Sequence, residues 1–556
     1  VVAMTLLRSM VPGCAGRGRV QGAVLALAAA FASLECQGWR ASRGLPRAPG
    51  RRIALASAPA PEGETPSCRQ TPASWSWLGR AVRWGERVKE PAQGTAAVPV
   101  LTVPEGQLDS WLESQTPHVQ RWVQATNWKA SAPGQLLLVP AEDSSSIAVV
   151  LFVAGKDEHE NSAFRYSSLA KDLPKGTYKL QDPVNPTAAA LSWALGCYSF
   201  DRYKKGSPSH GTRPVLEWPD GCDRGFVASA ASATYLARDL ISTPAEHCGP
   251  ADLEDCMMQL ASLHGAKASS IVGDALLGND CAQIHAVGRA ATADRAPRLL
   301  DLTWGDESKP KLTLVGKGVC FDTGGLNIKP GDSMLLMKKD MGGAAQVLAL
   351  AHMVMEAKLP VRLRVLIPAV ENSVDGTSFR PGDVLTAKNG KTTEIGNTDA
   401  EGRLILADAL VEADSEEPDM IIDCATLTGA ARVAVGLDIG ALFSNDNKLA
   451  REVMDISLDV DDPLWHQPLH KPYRAQIESK IADLKNVGDR TGGAITAALY
   501  LQEFLAPETG SRPQTPWIHI DFMGFNTAAK PGRAIGGEAQ GLRALFAYLQ
   551  KQYGEE

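Results

Sequence analysis

From about residue 226 to the end of the chain, short apolar runs alternate with longer stretches whose apolar residues recur every three to four positions. Lys311–Val315, Val361–Ile367, Met420–Cys424 and Trp517–Asp521 have strand length, whereas Gly342–Ala357, Arg403–Ala413, Gly493–Leu505 and the amphipathic Glu538–Tyr553 have helical spacing. This alternation predicts an α/β fold with a mixed, mostly parallel sheet covered by helices. Functional residues of such sheets sit at the carboxyl ends of strands. Ser229–Leu240 reads as a linker helix ended by Ser242-Thr243-Pro244. Ahead of it, residues 96–225 read as a smaller α/β domain. It has strands at Gln135–Pro140 and Ile147–Val153, and a helix at Pro186–Cys197 opened by its proline.

The first 95 residues follow neither pattern. Residues 1–34 carry Arg8, Arg17 and Arg19 without an acid, and Ala23–Ala32 is apolar but too short to span a bilayer. Residues 36–61 again lack acids and place Arg40, Arg43, Arg47, Arg51 and Arg52 among Ala, Ser and Pro. That composition predicts a cleavable leader addressed to an organelle such as a plastid or mitochondrion. A disordered Pro-, Gly- and Ser-rich linker follows, to about residue 95.

Length and charge narrow the classes. A chain of 556 residues exceeds one ordinary core, so two folded domains are expected, a small N-terminal one and a larger one over 226–556. A net charge of −7 gives no electrostatic reason to seek nucleic acid or an anionic membrane. The ten cysteines form no C-x-x-C pair and read as reduced thiols rather than a disulfide framework.

Two clusters carry the chemistry. One runs from Val315 to Lys329 and on to Gly343, and holds Lys317, Asp322, Lys329, Met337 and Asp340 between glycines. The other is Asn397-Thr-Asp399-Ala-Glu401-Gly-Arg403-Leu404. In extended backbone Asp399, Glu401 and Arg403 would point to one side, and Gly402 would permit a tight turn. Carboxylates so close repel unless cations lie between them, and oxygen-rich sets suit hard divalent ions. An adjacent arginine adds an anion site. A Walker loop and a G-x-S-x-G elbow are absent, and His159-Glu160 is not followed by the second histidine of H-E-x-x-H.

With their spacing, these strings resemble the leucine (cytosol) aminopeptidases, in a bacterial-type branch. Ala237-Arg-Asp-Leu-Ile241 and Ala425-Thr-Leu-Thr-Gly-Ala430 add to the likeness, which covers 226–556. Asn327 and the Lys338-Lys339 pair fall at variable positions. The resemblance implies a two-metal exopeptidase that removes leucine and other mainly hydrophobic residues from peptides with free N-termini, using a metal-activated water. Mn²⁺, Zn²⁺ or Mg²⁺ would be held by Asp322, Asp399 and Glu401 in one position and by Lys317, Asp322, Asp340 and Glu401 in the other. Lys329 would stabilise the oxyanion, and Arg403 would bind bicarbonate as the general base. Met337, Asn397, Thr426, Leu427 and Gly429 would help bind the substrate. The family also implies a homohexamer, a dimer of trimers. Leu437–Phe443 and Leu542–Tyr553 read as apolar surface beyond what one sheet covers, which points the same way. All seven charged positions are filled, which argues against a non-catalytic descendant, and the acidic charge argues against a DNA-binding role.

Overall fold

Two sheets organise the chain in the computed structural model, which describes residues 76–554 apart from 91–95, 144, 155–161, 206–212 and 510–512. The leader expected over 1–61, and the linker as far as residue 75, lie outside the described residues. Among those described, the first sheet has six strands. Their order is Val88–Lys89, Val215–Glu217, Thr177–Leu180, Val98–Val103, Ile147–Val153 and Leu136–Pro140, parallel except for the last pair.

The second sheet has nine strands and a parallel centre built from β1 (Lys311–Gly316), β2 (Gly318–Asp322), β3 (Arg362–Asn372), β4 (Met420–Ala425) and β5 (Trp517–Asp521). β1 lies between β3 and β4, β5 continues beyond β4, and β2 pairs with the far end of β3. Every residue of β3, β4 and β5 is buried, which is why they read as near-continuous apolar runs. Two antiparallel strands, Arg298–Trp304 and Lys267–Val272, extend the sheet past β3, and Gly440–Ser444 runs antiparallel to β5. The edge strand Lys267–Val272 has the half-exposed, mixed sequence KASSIV, so its apolar signal is weak.

Of the helices, α1 (Arg224–Ser242) joins the two regions, and α2 (Gly342–Glu356) and α3 (Gly402–Asp414) flank the parallel centre at β1. Asp223 caps α1 by accepting from the Phe226 N–H. α1 is a core helix as well as the link between the regions, with 15 buried residues, packed on α2 and on the helix Pro186–Gly196 of the first sheet's region. Its run of Ala and Ser allows those close approaches. Arg238 on α1 is buried and bonds both carboxylate oxygens of Glu538, at 2.8 and 3.0 Å. This fork ties α1 to the segment before the last helix.

Three expectations need correction. Residues 76–90, expected to belong to the linker, are folded. Ser76 caps a helix over Trp77–Ala81, Trp77 and Trp84 are buried, Trp84 Nε1 donates to Ser232 Oγ on α1, and Val88 pairs with Leu216. Two tryptophans supplied enough apolar area to order a stretch whose composition looked like a tether. The closing helix begins at Leu542, because Gly541 just before it has a φ of 77°. Finally, the apolar segments taken as spare surface are mostly interior, although Leu437 is exposed. Gly440–Ser444 is buried throughout, and the last helix buries Leu542, Leu545, Phe546 and Leu549 within the chain.

Candidate active site

The carboxyl ends of the parallel strands converge on one cavity of about 390 Å³. Lys317 directly follows β1, Asp322 ends β2, and Thr426 and Leu427 directly follow β4. Met337 and Asp340 lie on a short 3₁₀ turn, Met337–Met341, that leads into α2. Asn397, Asp399 and Glu401 form the turn before α3, and Arg403 is on its first turn. Every residue nominated from the sequence lines this cavity: Lys317, Asp322, Lys329, Met337, Asp340, Asn397, Asp399, Glu401, Arg403, Thr426, Leu427 and Gly429.

The local reasons differ from the expected ones at two points. The 397–401 segment is a turn, not a strand, and Glu401 already has helical backbone angles. Its carboxylates meet the site because the turn wraps around them, not because alternate residues share a face. Gly402 has no positive φ, since it opens α3. A Cβ there would run into Lys317 Cε and lie 2.7 Å from its Nζ. Glycine is needed so that α3 can start against the lysine. Gly343 serves similarly at the start of α2, where a Cβ would collide with Cys424 O of β4.

Charge is concentrated here. Lys317 Nζ lies 2.6 Å from Asp340 Oδ2 and 2.9 Å from Glu401 Oε1. Lys329 Nζ lies 2.8 Å from Asp322 Oδ2 and 2.5 Å from Asp399 Oδ1. Carboxylate oxygens of Asp322, Asp340 and Glu401 come within 4.8 Å of one another, and all three residues are buried. Burial, and then the neighbouring Asp322, push the Glu401 carboxyl up to about 8. Burial and Asp322 also raise Asp399. Burial pushes Lys317 down, but Asp340, Glu401 and Asp322 outweigh it and hold the ammonium well above its ordinary range. Burial alone lowers Arg403.

The donor set fits divalent cations. Asp340 Oδ2, Asp399 Oδ1 and Glu401 Oε1 are buried and accept no hydrogen bond of good geometry, although lysine ammonium groups lie close to them. The four carboxylates of Asp322, Asp340, Asp399 and Glu401 outnumber the ammonium groups beside them, those of Lys317, Lys329 and Lys339, and divalent cations would balance the excess negative charge. A second group, His264, His352 and Glu356, lies on other elements. There the two imidazoles already hydrogen-bond each other at 2.9 Å, and the cavity does not reach them.

Sequence reasoning missed most of the residues that position these groups, the nominated Asn397 aside. Asn372, at the end of β3, donates from Nδ2 to Asp322 Oδ1 and to Thr398 O, joining the two clusters. Asn327 accepts from Thr398 N through Oδ1 and donates its own N–H to Thr398 Oγ1. Asn486 donates to Asn397 O and Ala400 O, and its carbonyl accepts from Arg403 Nη1 at 2.8 Å. Asn397 Oδ1 accepts from Asp399 N. Asn372 and Asn486 stand alone in sequence, so nothing in the chain marks them. Also missed were Lys339 and Arg432, which line the cavity. Burial brings the Lys339 ammonium down to about 8.

Fold and site together define an α/β metallohydrolase. The profile of the cytosol aminopeptidase family, catalytic domain, matches residues 235–546, and that of the M17 aminopeptidase N-terminal domain matches 98–214. A probable cytosol aminopeptidase of Picosynechococcus is 36% identical over 476 residues, 81% of this chain and 92% of that protein. The crystal structure of the cytosol aminopeptidase from Coxiella burnetii is similar with a TM-score of 0.78 at 44% identity, covering 84% of this chain and 99% of that one. The bottromycin maturation enzyme BotP, solved also in complex with Mn, gives 0.71 at 32% identity, covering 82% and 99%. The chain belongs to the cytosol (leucyl) aminopeptidase family and is a two-domain, metal-dependent aminopeptidase.

Proposed function

We propose that this enzyme releases single residues, leucine and other mainly hydrophobic ones among them, from the N-termini of short peptides in peptide turnover. Residues 226–556 do the chemistry, and 96–225, joined in the sheet by the strand Val88–Lys89, form the smaller domain. The observation that carries this reading is the buried convergence of Asp322, Asp340 and Glu401 within 4.8 Å of one another, beside Lys317 and Lys329. Asp322, Asp399 and Glu401 would hold one divalent ion, and Lys317, Asp322, Asp340 and Glu401 the other, so Asp322 and Glu401 would serve both. Bound Mn²⁺, Zn²⁺ or Mg²⁺ supplies Lewis acidity and a water made acidic enough to attack near neutral pH.

The chain's own groups do the rest. Lys317 would ligate through its Nζ lone pair, so its proton must leave. Carboxylates left without cations hold that proton on, and neighbouring positive charge favours its loss. Lys329 reaches the cavity from the side of Asp322 and Asp399, where its ammonium can donate to an oxyanion developing on the scissile carbonyl. Arg403 is buried, fixed by Asn486 O, and keeps an Nε without a hydrogen-bond partner. It would hold bicarbonate, a group that would supply a general base beside the metals. Met337, Thr426, Leu427 and Gly429 would contact the first side chain, and Asn397 would line its approach while ordering the Asp399 turn.

Hydrolysis of a panel of aminoacyl amides tests the reading. Chelation should abolish turnover, Mn²⁺ or Zn²⁺ should restore it, and N-acetylated substrates should resist cleavage. Full activity after exhaustive chelation would overturn it.

We also propose a homohexamer, a dimer of trimers, on the family's pattern, with the catalytic domains packed around the three-fold axis. Closed symmetric assembly is the common outcome for soluble oligomers, and enclosed sites would admit short peptides only. Light scattering at micromolar protein should give near six subunit masses, and an active monomer would refute this. The arginine-bearing first 61 residues remain our candidate organelle leader. The N-terminus of the native protein, read by mass spectrometry, decides that point. Among the described residues, no helix is long and apolar enough to cross a membrane.

A further inference from the structure

Two basic side chains in the cavity have no part in that chemistry. Lys339 lies on the turn between Met337 and Asp340, is only 2% exposed, and yet lines the cavity. Its Nζ makes one long contact, 3.5 Å to Asp340 Oδ1. That oxygen already accepts from Thr426 Oγ1 at 2.9 Å, and the other Asp340 oxygen faces Lys317 at 2.6 Å. Lys339 therefore shares a carboxylate that stronger partners have taken.

Arg432 comes to the same cavity from the helix Gly429–Val435. Its Nη2 folds back over Gly429, where a Cβ would lie 3.4 Å away, and its Nη1 points at the thioether Sδ of Met523, also at 3.4 Å. That partner is a weak acceptor rather than a carboxylate. The neighbouring walls, Met337, Leu427 and Val487, are apolar. Lys339, buried with only a long contact to a carboxylate already engaged elsewhere, and the half-buried Arg432, which meets a thioether, would each gain from a ligand that supplies an anion.

We propose that Lys339 and Arg432 form an anion-accepting end of the pocket for the first side chain, so that peptides beginning with glutamate or aspartate are cleaved at least as well as those beginning with leucine. The inference rests on the aminopeptidase reading and names a substrate class for it. A glutamate stem would lie along Met337 and Leu427 while its carboxylate accepts from the ammonium and the guanidinium. Aliphatic side chains still fit the apolar walls but bring no anion to the two cations. Discrimination is strongest where an analogue leaves buried polar groups without partners.

The test is the ratio of kcat/KM for glutamyl to leucyl amide, measured on the metal-loaded wild type and on Lys339→Met and Arg432→Leu. Both substrates use the same metals and the same Lys329, so general damage to the site leaves the ratio unmoved. We expect a wild-type ratio of one or more, falling about tenfold or further in each variant. A wild-type ratio below about one tenth, or a ratio unchanged in both variants, would overturn the inference and leave the aminopeptidase intact. Absence of hydrolysis of either amide by wild type would overturn both. Should the variants lose their metals, product inhibition of the wild type decides: free glutamate should inhibit at least as strongly as free leucine, and the reverse order would count against the proposal.

Discussion

Glu401→Gln is expected to lose bound metal and turnover together, with kcat/KM falling on the order of 10³-fold or more, ~4 kcal/mol of transition-state stabilisation. The substitution barely changes shape, so the loss would be of charge. Glu401 sits at the centre of the charged cluster, 1% exposed, with Oε1 2.9 Å from Lys317 and a carboxylate oxygen within reach of both Asp322 and Asp340. As the proposed bridge it serves both ion positions, so a neutral amide there weakens both. Metal analysis of the purified variant should show fewer ions per subunit, while the circular dichroism spectrum and melting of the metal-free proteins stay close to wild type. A fully metallated Glu401→Gln variant with normal kcat would falsify the assignment.

Lys329→Ala should behave differently. Its Nζ contacts Asp322 and Asp399, but the proposed mechanism gives it no metal to hold. The ions should therefore remain, and kcat should drop on the order of 10²–10³-fold with little change in KM, as for loss of a single oxyanion donor. The two variants separate by measurement. Glu401→Gln loses metal and rate together, whereas Lys329→Ala loses rate alone. If Lys329→Ala instead emptied the site, the lysine would be acting as a structural counter-charge to Asp322 and Asp399. Wild-type kcat would remove it from the mechanism altogether.

The sequence alone determined the α/β class, the parallel centre of the large sheet and the residues that meet in the cavity. It could do so because β3, β4 and β5 are buried throughout, and the charged residues cluster within two short strings placed where strands end. Those are local signals, carried by spacing a few residues long. Tertiary structure decided what depends on distant partners. It ordered residues 76–90 by burying Trp77 and Trp84, which no linker-like composition reveals. It turned Leu437–Phe443 and Leu542–Tyr553 from apparent surplus surface mostly into core, because neighbouring elements cover them. It made Gly402 a close-approach position rather than a turn. It also recruited Asn372 and Asn486, isolated in sequence, to brace Asp322 and the 397–401 turn. Likewise Lys339 looks like a surface lysine beside Lys338 until packing buries it in the cavity with Arg432, 93 residues further along the chain. Periodicity reports which way one element faces, and only the packed chain reports what that face meets.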